Sequence, residues 1–364
     1  MSKPWYRSYP KEVPFNLEYP KISLFDFFYK TVKDYPDNLA IIFDPFDLQL
    51  KYKDLYELVL KVISGLLRIG FNFDDKVSFL LPNVPSYVAF YYATLALGGV
   101  VVNVNPDLTP FEIQKYISDS DSRFVLTFPS GIQKINEIIH NIDKVDKIIV
   151  DDVYFKDNLD ISAFSFKDKI VFVSDFLKND GFLIQKDLKR LSDFDPCTKV
   201  AVFQYTGGTT GVIKAAMLSH FNLVSNAYQI CSWVYEFKPT DNHKTLCVIP
   251  LFHAYGMTVG MNVSVGLANT MVLVPHFYIE QIIRVINKYD IGLFPGVPAM
   301  YSAIALYAMK NKVNLNSIKV CISGASALNE EIYNRFVSLT GAKLVEGYGL
   351  SEASPVTHIN PIFG

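Results

Sequence analysis

The segment Tyr205-Thr-Gly-Gly-Thr-Thr-Gly211-Val-Ile-Lys214 gathers three glycines, three threonine hydroxyls and one ammonium within ten residues. Glycines let the backbone turn tightly and bring its amides close to an anion. The hydroxyls of Thr206, Thr209 and Thr210 add donors, and Lys214 adds positive charge. That combination suits a triphosphate. The spacing is not that of a Walker loop, because Lys214 comes three residues after Gly211 and is followed by Ala215. The spaced glycines of a dinucleotide-binding turn are also absent. On composition alone the segment is either a phosphate cradle or a flexible turn.

Two further segments carry residues fit for chemistry. Gly347-Tyr348-Gly349-Leu350-Ser351-Glu352 offers an aromatic face for a purine, a hydroxyl for a phosphate oxygen and a hard carboxylate suited to Mg²⁺. Taken alone, Glu352 equally fits a solvated surface acid and Tyr348 a core aromatic. His253 lies in Pro250-Leu-Phe-His-Ala-Tyr-Gly256. A lone histidine in so apolar a run is either a satisfied core residue or a group that meets a ligand.

Elements must position these residues, and the chain alternates strand-like and helix-like stretches throughout. Leu55, Leu58, Val59, Val62, Leu66 and Ile69 recur at helical spacing, with Gly70 as C-cap. Strands are expected at 76–81, 100–104, 124–128, 147–150, 200–204, 270–274 and 320–323. Helices are expected around 86–97, from about Ser219, near 280–288 and after Asn329. Thr109-Pro110-Phe111-Glu112 has capping-box spacing with proline at the first helical position, so a helix should start there. The stretch 154–196 is charge-rich and reads as a peripheral excursion. The phosphate-loop candidate is expected between the strand 200–204 and later helix-forming sequence. Strands separated by helices favour parallel sheets with helical crossovers, an α/β class.

Of the 364 residues 50% are apolar and 19% charged, enough for a sizeable core and against disorder. The net charge of −2 gives no footprint for nucleic acid. Cys197, Cys231, Cys247 and Cys321 have no paired spacing and are expected reduced and buried, as in a cytoplasmic protein. The N-terminal residues lack an apolar h-region. Two stretches, 77–106 and 246–279, carry no Asp, Glu, Lys or Arg. Both are broken by prolines, glycines or asparagines, so they read as buried core and not as membrane spans.

The order of residue types is more specific than their composition. YTGGTTGVIKAAMLSH resembles the phosphate loop of the adenylate-forming superfamily, which includes AMP-forming acyl-CoA synthetases. LKYKDLYELVLKVISGLLRIGFNFDDKVSFLLPN and LALGGVVVNVNPDLTPFEI are similar to its opening blocks. PLFHAYG, SGASALNEE and EGYGLSEAS then follow in the family's order. The resemblance covers nearly the whole chain. It implies ATP, Mg²⁺ and CoA as cofactors, and an N-terminal domain of two layered αβαβα subdomains built on mainly parallel sheets.

Roles are implied residue by residue. Thr206, Gly207, Gly208, Thr209, Thr210, Gly211 and Lys214 would lie over the β- and γ-phosphates. Gly324, Ala325, Ser326, Glu346, Gly347, Tyr348, Gly349 and Ser351 would border the nucleotide, with the Tyr348 ring against adenine, and Glu352 would hold Mg²⁺. His253, Lys214 and Thr206 are the implied catalytic residues, His253 beside the reacting carboxylate. Ile213 and Ala215 stand where the family more often has proline and glycine, but neither change removes a ligand. Amino-acid-activating members carry an aspartate soon after the histidine motif, and residues 252–261 contain no acid. The implied substrate is therefore a small-molecule carboxylic acid with an uncharged tail, fatty or aromatic. Tyr255, Gly256, Met257 and Val259 are expected to line its pocket.

By the resemblance, residues 1–364 would be a truncated AMP-binding N-terminal domain. One subdomain is expected over about 66–215, the other over about 20–65 plus 216–352, with an incomplete small β-barrel. Family members would continue for about 150–200 residues, an ordinary domain size, with a C-terminal lid domain and its adenylation lysine. The chain is thus expected to be the N-terminal fragment of an acyl-CoA synthetase, impaired on its own. The alternative is a catalytically incompetent ATP- and acyl-binding module, or a structural subunit, that needs a C-terminal partner chain. Unpaired barrel edges are expected to promote homo-oligomers.

Overall fold

In the computed structural model, residues 3–155, 157, 159–162, 164–178, 193–206 and 213–363 are described. The strands among them are β1 Leu39–Phe43, β2 Leu48–Lys51, β3 Lys76–Phe79, β4 Val100–Asn103 and β5 Phe124–Thr127. Then come β6 Lys147–Val150, β7 Ile170–Phe172, β8 Val200–Thr206, β9 Lys214–Ser219 and β10 Lys244–Cys247. The last are β11 Thr270–Leu273, β12 Leu293–Gly296, β13 Val320–Ser323, β14 Lys343–Gly349 and β15 Val356–Ile359. Two compact units divide them. One comprises Lys21–Lys30 and Lys53–Asn222; the other takes the residues up to Pro20, Thr31–Tyr52 and those from Leu223 on.

The first unit holds a seven-stranded sheet in the order β7-β6-β5-β3-β4-β8-β9. Every neighbouring pair is parallel except the antiparallel hairpin β8–β9 at one edge. Its central helix, Pro85–Ala96, is buried at all twelve positions, which explains the charge-free run 77–106: no face of that helix meets water. The helix Pro110–Ser120 starts with the expected capping box, Thr109 and Glu112 bonding reciprocally. Ile113, Ile117, Val125, Ile135 and Ile148 belong to one apolar cluster, against which Ile213 and Ala215 also pack. The substitutions for proline and glycine thus serve packing.

One expectation changes here, and one element is added. The stretch after Tyr154 is not wholly peripheral, because β7 pairs in parallel with β6 and extends the sheet. The helix expected from about Ser219 is present as His220–Trp233, and a strand the sequence did not announce, β9, precedes it. Lys214-Ala-Ala-Met-Leu-Ser lacks the alternation of a half-buried strand, so only its pairing with β8 fixes it as one.

The second unit holds an eight-stranded sheet in the order β15-β14-β13-β12-β10-β11-β1-β2. Six strands, β14 through β1 in that order, are parallel, and an antiparallel strand closes each edge. The helices Ile279–Tyr289, Pro298–Asn311 and Glu330–Thr340 contribute to its core cluster through Ile282, Ile286, Tyr301, Ile304 and Phe336. The charge-free run 246–279 contains the end of β10 at Leu246 and Cys247, a π-helical turn Gly256–Asn262 and β11, all buried. Among the described residues no helix is long and apolar enough to cross a membrane. None of the four cysteines is in a disulfide; Cys247 and Cys321 are buried as expected, whereas Cys197 and Cys231 are partly exposed.

Candidate functional site

In the seven-stranded unit the antiparallel register sets Thr206, the last residue of β8, directly opposite Lys214, the first of β9. Opposed Cα atoms in such a ladder lie about 4.5–5.5 Å apart. The register therefore sets a hydroxyl-bearing and an ammonium-bearing residue side by side at the C-terminal end of β8. That is the end of a parallel strand at which open α/β sheets bind ligands. Thr206 is half-buried and Lys214 exposed. Gly207, Gly208, Thr209, Thr210 and Gly211 lie outside the described residues.

In the eight-stranded unit the remaining candidates lie at the C-terminal ends of three parallel strands, β14 and β13 side by side and β10 separated from β13 by β12. His253 and Tyr255 follow β10, Gly324 to Ser326 follow β13, and Glu346 to Gly349 close β14. Two contacts lock this edge together. The Tyr255 hydroxyl donates to the carbonyl oxygen of Ile322 on β13 at 2.6 Å. The Leu328 N–H donates to Glu346 Oε1 at 2.8 Å, tying the loop after β13 to β14. Gly324 suits that packing: a Cβ there would stand 3.2 Å from a Tyr255 ring carbon, close enough that the ring would have to shift by a few tenths of an ångström. Ala325 takes a left-handed φ of 69°, so the loop turns sharply at Gly324-Ala325-Ser326 and leaves Ala325 and Ser326 exposed.

Tyr348 is 66% exposed, so one face of its ring is open to stack on a planar group. Ser351 and Glu352 form a short 3₁₀ turn beyond β14, with Glu352 open to solvent. Among the described residues no cluster of three or more His, Cys, Asp or Glu forms a metal cage. A single exposed carboxylate still fits Mg²⁺, which keeps several waters and takes oxygens from a bound phosphate.

His253 reaches solvent, yet the protein packed around it desolvates the imidazole and lowers its pKa from the ordinary value. It is therefore neutral near pH 7 and can donate or accept one hydrogen bond without adding charge. Its ring lies 4.7 Å from that of Phe252. Beneath it, Gly256, Met257 and Val259 are buried in the π-helical turn, a feature frequent at functional sites. Gly256 allows the close approach: a Cβ would lie 2.2 Å from the Pro250 carbonyl oxygen.

A profile described as "AMP-binding enzyme" matches residues 28–363. The chain belongs to this family. It is 35% identical over 376 residues to the long-chain-fatty-acid–CoA ligase of Bacillus subtilis, all of this chain aligning with 66% of that protein. The corresponding ligase of Haemophilus influenzae is 27% identical over 383 residues, again with 66% of its length covered. A crystal structure of a long-chain-fatty-acid–CoA ligase from Archaeoglobus fulgidus superposes with a TM-score of 0.81 at 22% identity, over 95% of this chain and 67% of that one. The chain thus spans about two thirds of the relatives it matches. The AMP-binding fold accounts for both sheets described above.

Sequence reasoning missed one residue that shapes this edge. Thr258 Oγ1 donates to the carbonyl oxygen of Ser354 at 2.8 Å, joining the π-helical turn to the turn that bears Glu352. Its signal was a hydroxyl inside a charge-free, wholly buried run.

Proposed function

We propose that this AMP-binding enzyme activates a fatty carboxylic acid with ATP and passes the acyl group to CoA. The observation that carries the reading is the 35% identity along the whole chain to a long-chain-fatty-acid–CoA ligase. In the first step the acid's carboxylate oxygen attacks the α-phosphorus and the bond to the β-phosphate breaks. Acyl-AMP forms and pyrophosphate leaves. In the second the CoA sulfur, having lost its proton, attacks the acyl carbonyl, and AMP departs.

The chain's own groups act by positioning and charge, with no covalent intermediate on the protein. Thr206 and Lys214, with Gly207 to Gly211, hold the β- and γ-phosphates. Tyr348 covers the adenine, Ser351 donates to a phosphate oxygen, and Gly324 to Ser326 with Glu346, Gly347 and Gly349 border nucleotide and acyl group. The neutral imidazole of His253 orients the carboxylate, and Tyr255, Gly256, Met257 and Val259 wall the acyl end. Mg²⁺ held by Glu352 would neutralise phosphate charge when bound.

Two measurements test this. MgATP should bind the chain in calorimetry, and ATP–pyrophosphate exchange should depend on an added long-chain acid. Exchange supported equally well by amino acids, or no MgATP binding at all, would overturn it.

A further inference from the structure

β8 is apolar through Ala201 and Val202, both buried, and becomes polar only at its last residues before Thr206. Those residues are tied down on opposite faces of the sheet, as the two-residue period of a strand requires. On one face Gln204 is 3% exposed, and its Oε1 accepts from Asn103 Nδ2 at 3.0 Å. Asn103 Oδ1 accepts the Tyr87 hydroxyl at 2.5 Å, and Asn103 pairs with Gln204 in the parallel β4–β8 register. On the other face the Tyr205 hydroxyl donates to Asp119 Oδ2 at 2.6 Å. Its ring lies 4.5 Å from that of Tyr116, which like Asp119 belongs to the helix Pro110–Ser120. The capping box Thr109–Glu112 fixes that helix in turn.

A buried chain of amides and a phenol costs desolvation that aliphatic packing would avoid, and in exchange it specifies one geometry. Here the polar groups are confined to the end of β8 that carries Thr206. We propose that Tyr205 and Asp119, together with the Asn103–Gln204 pair on the opposite face, are positioning residues for the nucleotide phosphates. They hold the Thr206–Lys214 rung in one place, so that hydroxyl and ammonium meet the phosphate chain together. The inference rests on the phosphate-binding role given to that rung above.

The test is MgATP affinity by calorimetry on the protein and on Y205F, D119A, D119N and Y205F/D119A. Asp119 is exposed on its helix, so these changes leave the fold in place. Y205F and D119A should each weaken MgATP by about three- to tenfold, the scale of one charge-assisted hydrogen bond partly transmitted to the site. The double variant should be no weaker than either single one. D119N, which keeps an acceptor for the phenol, should recover affinity to within about twofold. Where exchange is measurable, KM for ATP should rise while KM for the acid stays put. N103L should reproduce the affinity loss from the opposite face.

Unchanged affinity in Y205F and D119A, additive losses, or losses that simply follow a falling melting temperature would each overturn the proposal. If the parent binds MgATP but shows no acid-dependent exchange, the activation reading fails. The brace is then still decided by the ratio of parent to Y205F affinity. A parent that binds no MgATP defeats both.

Discussion

The hairpin that carries Thr206 and Lys214 and the sheet edge that carries His253, Gly324 and Tyr348 gather their residues by opposite routes. The hairpin brings together two residues eight positions apart by antiparallel pairing, and leaves the lysine in water. The other edge assembles residues from three strands spread between 244 and 349, packed so closely at Gly256 and Gly349 that a Cβ would collide with backbone oxygens. Substitutions in the hairpin should therefore change affinity and leave the fold intact. At the packed edge they should reach function mainly through stability.

The sharpest way to break that contrast is Gly256→Ala. Its Cβ would fall 2.2 Å from the Pro250 carbonyl oxygen and 2.8 Å from that of Ile249, and neither backbone group can easily yield. The expected loss is about 2–3 kcal/mol in urea unfolding, the range for overpacking. A variant as stable as the parent would mean that this edge is looser than its contacts imply. Lys214→Ala should do the reverse: MgATP weakens about tenfold or more for loss of a charge-assisted phosphate contact, with unfolding unmoved. Comparable stability losses in the two variants would erase the distinction.

A pH titration sharpens the picture of the seven-stranded unit away from its hairpin. His220 is fully buried, its Nδ1 accepting the Leu24 N–H at 3.2 Å, and desolvation followed by Lys199 lowers its pKa to about 3. The unfolded chain binds that proton below the ordinary value of 6.5, so stability is lost as pH falls from 6.5 toward 3. Asp151, also fully buried, is raised by desolvation to about 6, although Ser86 and the N–H groups of Val153 and Tyr154 donate to it. Here the folded chain holds the extra proton, so stability is gained as pH falls through 6 toward the ordinary 3.8. The two contributions oppose each other between pH 6 and 4. Asp151→Asn should steepen acid destabilisation there by up to about 1.4 kcal/mol per pH unit, and His220→Gln should relieve it. Parallel pH profiles for the parent and both variants would refute the pairing.

The smallest effect is expected from Tyr255→Phe, which keeps the ring and removes the hydroxyl that bonds the backbone of Ile322 and Gly296. It should cost about 1 kcal/mol, since the ring still packs on Gly324. A much larger loss would place the hydroxyl, and not the ring, at the centre of this edge.

Much of this was legible in the residues. The capping box at Thr109, the strands 147–150 and 320–323 and the order of the site motifs were all readable, because each depends on residues close in sequence. β9 was not, since an edge strand without alternation exists only by virtue of its partner. β7 was hidden by charged surroundings, and the pairing of β10 with β12 joins residues about fifty apart.

By itself the sequence determined the α/β class, the AMP-binding family and the residue types at each motif, because phosphate, purine and Mg²⁺ chemistry restrict which side chains serve. Only the tertiary structure decided that Thr206 faces Lys214, that Tyr255 and Thr258 stitch neighbouring segments together, and that Tyr205 and Gln204 are held from opposite faces. Those relations are set by sheet register and by packing between distant segments, which no local pattern of residues encodes.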